Sequence, residues 1–177
     1  MPPPPELISL ARTIAVQHSL DPALVCAVVE QESSWDAHAI RYEPAFRTRY
    51  VAPLGLPPTE EVARSISWGL MQIMGQVARE HTFTGKFLSA LCDPAAGLDV
   101  GCSVLVSKFA TAAAAAAAAK SSAAPTATPS VSLAAPPSVA APHAVIESLT
   151  SRALELWNGG GNPNYASEVL ARIAKYQ

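Results

Sequence analysis

The stretch that most restricts the fold of this chain is "TAAAAAAAAKSSAAPTATPSVSLAAPPSVAAP", residues 111–142. Its alanine run can extend a helix by propensity alone. The Pro, Ser, Thr and Ala beyond it offer too little apolar surface to order themselves. Helical periodicity stops before this stretch and returns after it. Ile146, Leu149, Ala153 and Leu156 recur at helical spacing, and so do Val169, Leu170 and Ile173. With 177 residues the chain suits one compact domain. The expected arrangement is a single domain over 1–177, carrying a disordered insertion at 111–142.

The earlier part reads as a series of helices. Leu7, Leu10, Ala11 and Ile14 place one over 6–17. Asp21 followed by Pro22 is a strong helix start: a capping oxygen, then a proline where its missing N–H costs nothing. That second helix runs to about Ser34. Residues 36–60, with Pro44, Pro53, Pro57 and Pro58, read as irregular, and 59–66 as a short helix. A turn at Gly69 leads into another helix. Residues 95–110 put Leu98, Cys102, Leu105 and Phe109 on one face. No strand pattern is evident, so the predicted fold class is mainly α.

Several function classes are disfavoured at this point. A net charge of -2 and a pI near 6.1 do not suit a nucleic-acid binder, which would show a basic stripe. No transmembrane segment is expected, because no run of about 18 or more strongly apolar residues is evident. The start, "MPPPPELISLARTIAV", lacks the basic n-region of a secretory signal, and Glu6, Ser9 and Arg12 break its apolar positions. Cys26, Cys92 and Cys102 are too few for a disulfide framework, and their spacing matches no zinc pattern. They read as free thiols, with a Cys92–Cys102 bridge open in an oxidising compartment. No metal or organic cofactor is implied.

The stretch "ALVCAVVEQESSWD", residues 23–36, raises a sharper question, because it holds two glutamates in an apolar helix. At 100° per residue Val25, Val28, Val29 and Glu32 form one stripe, while Glu30 points away and reads as solvated. A carboxylate on an apolar stripe has two readings. It is satisfied internally by an arginine or by backbone donors, or its apolar floor favours the protonated form. A protonated carboxyl group can act as a general acid on a glycosidic oxygen.

Three segments shift the balance: Glu32-Ser33, then Gly69-Leu70-Met71-Gln72-Ile73, then Trp157-Asn158-Gly159-Gly160. In this order they resemble the soluble-type (SLT) lytic transglycosylases of the lysozyme-like superfamily, over residues 20–109 and 150–177. The resemblance implies a lysozyme-like α-helical domain with a substrate cleft. It implies Glu32 as the catalytic acid/base, and peptidoglycan glycan strands as the partner. It also implies cleavage of the β-1,4 bond between N-acetylmuramic acid and N-acetylglucosamine, with 1,6-anhydro ring formation. Ser33, Gly69, Leu70, Met71, Gln72, Trp157 and Asn158 would belong to the substrate site. The enzyme would act as a monomer in the periplasm, cell envelope or extracellular space.

The chain departs from the family pattern at two places. Trp157 stands where the family has Tyr, keeping an aromatic wall and losing a hydroxyl. Arg41 stands near a usual Ser. Glu43 brings two readings of its own: an ion pair with Arg41, Arg47 or Arg49, or a second carboxylate facing Glu32 across the cleft. The second reading would allow hydrolysis, making the protein a muramidase on the same fold. A catalytically weak peptidoglycan-binding module is the remaining alternative. Trp35 and Trp68 read first as core residues and second as groove walls.

Overall fold

The computed structural model describes residues 3–81, 83–122 and 142–177, and it is mainly helical. Helices α1 (Pro5–Gln17) and α2 (Pro22–Ser33) come first, then strand β1 (Ile40–Tyr42). A helical stretch follows: α3 (Pro44–Phe46), a π-helical turn (Arg47–Val51) and a 3-10 turn (Ala52–Leu54). Next come α4 (Pro58–Arg64), β2 (Ile66–Trp68), β3 (Ile73–Met74) and α5 (Gly75–Glu80). A 3-10 turn (Leu88–Cys92) leads into α6 (Pro94–Ser122), and α7 (Pro142–Asn158) and α8 (Tyr165–Ile173) complete the series.

The chain divides into two compact units, residues 1–106 with 167–177, and residues 107–166. In the larger unit α1 packs on α2. The start of α2 is the one the sequence announces. Asp21 Oδ1 accepts the Ala23 amide at 2.8 Å, and Pro22 occupies the first helical position. Such a cap stabilises a helix by about 1 kcal/mol. From Ala23 to Val29 every residue of α2 is buried, so each of its large apolar side chains contributes about 1.5–3 kcal/mol. Leu98, Cys102 and Leu105 of α6 are fully buried too, on the face their spacing predicts.

In the smaller unit Ala112, Ala153 and Leu154 are buried, whereas Ile146 of the predicted α7 face is 62% exposed. Helix α6 runs through the alanine stretch to Ser122, as propensity allows. The rest of the low-complexity segment, 123–141, lies outside the described residues. By length and composition alone Pro94–Lys120 would serve to cross a membrane, although the sequence reading expects no such segment. Core residues line the first half of α6, and 28% of its most apolar window is buried.

The sequence pattern predicts no strand, and the described residues form three, in one antiparallel sheet ordered β1-β2-β3. Ile40 lies opposite Trp68, Arg41 opposite Ser67 and Tyr42 opposite Ile66, while Ser67 faces Met74 and Trp68 faces Ile73. Strands this short carry too few residues for a period-2 pattern to register.

All three cysteines are free, with Cys26 and Cys102 fully buried. Burial pushes the Cys26 thiol up to about 11, against the opposing pull of Arg12, and the Cys102 thiol up to about 12. Near neutral pH both thiols are neutral whether the chain is folded or not. Above pH 9.0, the ordinary thiol value, the unfolded chain loses these protons and the folded chain keeps them. Stability should therefore fall as pH rises from 9, up to about 11 for Cys26 and about 12 for Cys102, by up to about 1.4 kcal/mol per pH unit for each thiol. Urea midpoints across that range should show the slope, and the double variant Cys26→Ala/Cys102→Ala should reduce it, leaving above pH 10 the share of Tyr176, whose buried hydroxyl is raised from 10.0 to about 12.

Candidate active site

The site begins at the end of α2. Glu32 is half-buried in its last turn, and the Ser33 hydroxyl donates back to the Val29 carbonyl at 3.2 Å. The chain then leaves the helix through two left-handed residues, Ser34 at φ 51° and Trp35 at φ 70°. Trp35 is 5% exposed and belongs to the core.

The two glutamates do not sort as helical periodicity predicts. Since α2 is buried on all sides up to Val29, it has no single apolar stripe to mark Glu32. Glu30 is not solvated either. Lys175 Nζ lies 2.5 Å from its Oε1, and the Tyr176 hydroxyl donates to its Oε2 at 2.8 Å. Burial alone would raise the Glu30 carboxyl, but these two hydrogen bonds outweigh it and hold the group below the ordinary carboxylate range. Glu30 is thus a structural anion, and the assignment of Glu32 rests on its motif.

Gly69, Leu70, Met71 and Gln72 form the loop joining β2 to β3. Gly69 takes φ +68°, and a Cβ there would collide with the Leu91 carbonyl oxygen, so only glycine fits. Leu70 and Met71 are each 1% exposed. The Met71 side chain fills the space left by the missing side chain of Gly101 on α6. These two residues shape the loop from beneath.

Gln72 holds the loop in place. It sits at φ 46°, a conformation that costs a non-glycine residue about 1–2 kcal/mol. Three hydrogen bonds offset that cost. Its Nε2 donates to the Ala39 carbonyl at 2.9 Å and to the Gly69 carbonyl at 3.0 Å, and its Oε1 accepts from the Ser67 hydroxyl at 2.8 Å. The Gly69 amide also donates to Ala39, at 2.8 Å. Sequence reasoning misses Ser67 and the Ala39 carbonyl, because neither residue type marks a partner for the glutamine.

Glu43 lies just past β1, half-buried, with Arg41 Nε 2.5 Å from its Oε1. The ion pair named among the sequence alternatives is therefore formed. Arg47 is paired elsewhere, with Glu61 at 2.6 Å. Trp68 is half-buried and donates its indole N–H to the Ala63 carbonyl at 3.1 Å.

Trp157 and Asn158 end α7 in the smaller unit and are half-buried. Asn158 Nδ2 donates to the Asn162 carbonyl at 2.9 Å, across a turn where Gly159 and Gly160 take φ 64° and 89°. Asn158 thus closes the glycine loop that follows its helix.

A separate open pocket of about 270 Å³ on the larger unit is lined by His18, His81, Phe83, Asp99 and Ser103, among others. It includes none of the residues above. His18 Nε2 lies 2.8 Å from Asp99 Oδ1 there. Among the described residues no cluster of three or more His, Cys, Asp or Glu could hold a metal ion.

Comparison with known proteins agrees with the motifs. The family model of the transglycosylase SLT domain matches residues 9–124, about two-thirds of the chain. The matched span takes in Glu32, Ser33, Glu43 and the Gly69–Gln72 loop, and it stops before Trp157 and Asn158. No curated protein and no solved structure matches the chain. With its helical fold, its Glu32-Ser33 pair and its glycine-led hairpin loop all inside the matched span, the chain belongs to the transglycosylase SLT domain family, a peptidoglycan-acting branch of the lysozyme-like superfamily.

Proposed function

We propose that the protein is a lytic transglycosylase. It cleaves the β-1,4 bond between N-acetylmuramic acid and N-acetylglucosamine and leaves a 1,6-anhydro end. Glu32 is its acid/base. Placement of Glu32 in the last turn of α2 supports this role. There it opens the Glu32-Ser33 pair, within the span that the family model matches. Glu32 as the acid gives its proton to the glycosidic oxygen while the bond from the muramic acid C1 breaks. The substrate's own acetamido carbonyl meets the positive charge at C1. The Glu32 carboxylate then takes the proton of the C6 hydroxyl, whose oxygen closes on C1. No water is consumed.

The observation that carries the choice of transglycosylase over hydrolase is the Arg41–Glu43 pair. A hydrolase of this kind needs a second carboxylate free to activate water. Glu43, the candidate for that task, instead faces the exposed Arg41 guanidinium in a charge contact without hydrogen-bond geometry. Leu70 and Met71 contribute as the floor of the substrate loop, Gly69 and Gln72 as its frame, and Ser33 as a neighbour of the acid. Trp157 and Asn158 are proposed as substrate-binding residues on the motif alone. The 1–177 chain is proposed to act as one enzyme, wherever peptidoglycan is exposed to it.

Mass spectrometry of muropeptides released from purified peptidoglycan tests this reading. We expect ends that carry the 1,6-anhydro ring. Ends that have gained one water would move the assignment to a muramidase and return Glu43 to the chemistry. Release of nothing, with retention on the polymer, would favour a binding module.

A further inference from the structure

The segment after α8 reaches back to the end of α2. Tyr176 is 5% exposed and its hydroxyl makes two hydrogen bonds. It donates to Glu30 Oε2 at 2.8 Å and accepts from Trp35 Nε1 at 2.9 Å. The Tyr176 and Trp35 rings also meet, centroids 5.9 Å apart and tilted by 54°. Lys175 holds the other oxygen of Glu30, and the Arg12 guanidinium donates to the Tyr176 carbonyl. Beside this grip, Gln31 Nε2 donates to Glu168 Oε2 of α8 at 2.8 Å. Glu30 and Gln31 immediately precede Glu32, and Trp35 follows it by three positions.

The local backbone needs such a grip. Ser34 and Trp35 are consecutive non-glycine residues at positive φ. Each costs about 1–2 kcal/mol unless its surroundings enforce it. A packed ring and a hydrogen bond on the Trp35 indole supply that enforcement.

We propose that Tyr176 is a positioning residue for Glu32: its hydroxyl bridges Glu30 to Trp35 across the last turn of α2 and so fixes the backbone carrying the acid. The proposal rests on Glu32 as the acid/base. The bridge suits a neutral phenol. Burial, helped by the Glu30 hydrogen bond, pushes the Tyr176 hydroxyl up to about 12, so its proton stays in place across the neutral range. A general acid works only at a defined reach from the scissile oxygen, and a misplacement of about 1 Å can cost 10²-fold.

The test is Tyr176→Phe, which keeps the ring and removes one oxygen, assayed on solubilised glycan strands. Positioning predicts that kcat falls about tenfold or more with KM unchanged. Trp35→Phe, which removes the other partner of the same hydroxyl, should lose a similar amount. The indole N–H resonance of Trp35 should shift in Tyr176→Phe, reporting the lost bond independently of turnover. If both variants fold and keep kcat within twofold of the wild type, losing only thermal stability, the bridge is merely structural and the proposal is overturned. If Tyr176→Phe does not fold, Trp35→Phe decides alone on the same criterion. A wild type that releases nothing would sink the catalytic reading itself and this inference with it.

Discussion

Glu32→Gln is expected to cut the release of muropeptides from peptidoglycan by about 10²- to 10⁴-fold, the usual contribution of a general acid/base. The amide keeps the volume of the carboxyl group and some of its hydrogen bonding. It cannot give a proton to the leaving oxygen or take one from the C6 hydroxyl. Both half-reactions should fail together, so no trapped intermediate should accumulate. Retention on insoluble peptidoglycan should survive, because the groove is otherwise unchanged, and co-sedimentation would show it. A variant keeping more than about a tenth of wild-type release would lie outside the range for a general acid/base. Glu43→Gln would then be the next variant to assay.

Gly69→Ala is the second large effect, this time on folding. An alanine there suffers twice. Its left-handed backbone costs about 1–2 kcal/mol, and its Cβ runs into the Leu91 carbonyl oxygen, where overpacking costs about 1–3 kcal/mol more. The sum is a large part of the roughly 5–15 kcal/mol that holds a typical domain. Gly55→Ala isolates the clash. Gly55 takes φ +63°, close to Gly69, yet a Cβ there meets nothing within 4 Å. In urea titrations Gly55→Ala should lose only the backbone part, and Gly69→Ala clearly more. Equal losses would show that the approach of the loop to Leu91 carries no weight.

Particular residues show what was legible in the sequence. Asp21-Pro22 marks a helix start because capping is local: the cap oxygen and the amide it accepts are two positions apart. The α6 face of Leu98, Cys102 and Leu105 is legible because one side of that helix over this span meets the core. The same periodicity misleads on α2. A helix enclosed on every side shows no stripe, so spacing could not separate Glu30 from Glu32. The strands escape detection because they are short and because side chains such as Gln72 tie them together. Tyr176 gives no signal at all, since its partner Glu30 lies 146 positions away. At the candidate site, order and identity of motifs point to Glu32 and the Gly69 loop. Which of those residues face inward, and which ones hold the others, is decided by packing that no short segment encodes.

The buried thiols of Cys26 and Cys102 have a consequence for the chemistry of exposure. Peptidoglycan lies where disulfides form readily and reductants are scarce. Oxidation and thiol exchange both begin from the thiolate. Held near 11 and 12, these two sulfurs present almost none at neutral pH, and neither is accessible to solvent. The helices that seat Glu32 and back the Gly69 loop thus carry thiols that an oxidising environment leaves inert while the chain is folded, and of the three cysteines the half-buried Cys92 is the one that oxidation can reach.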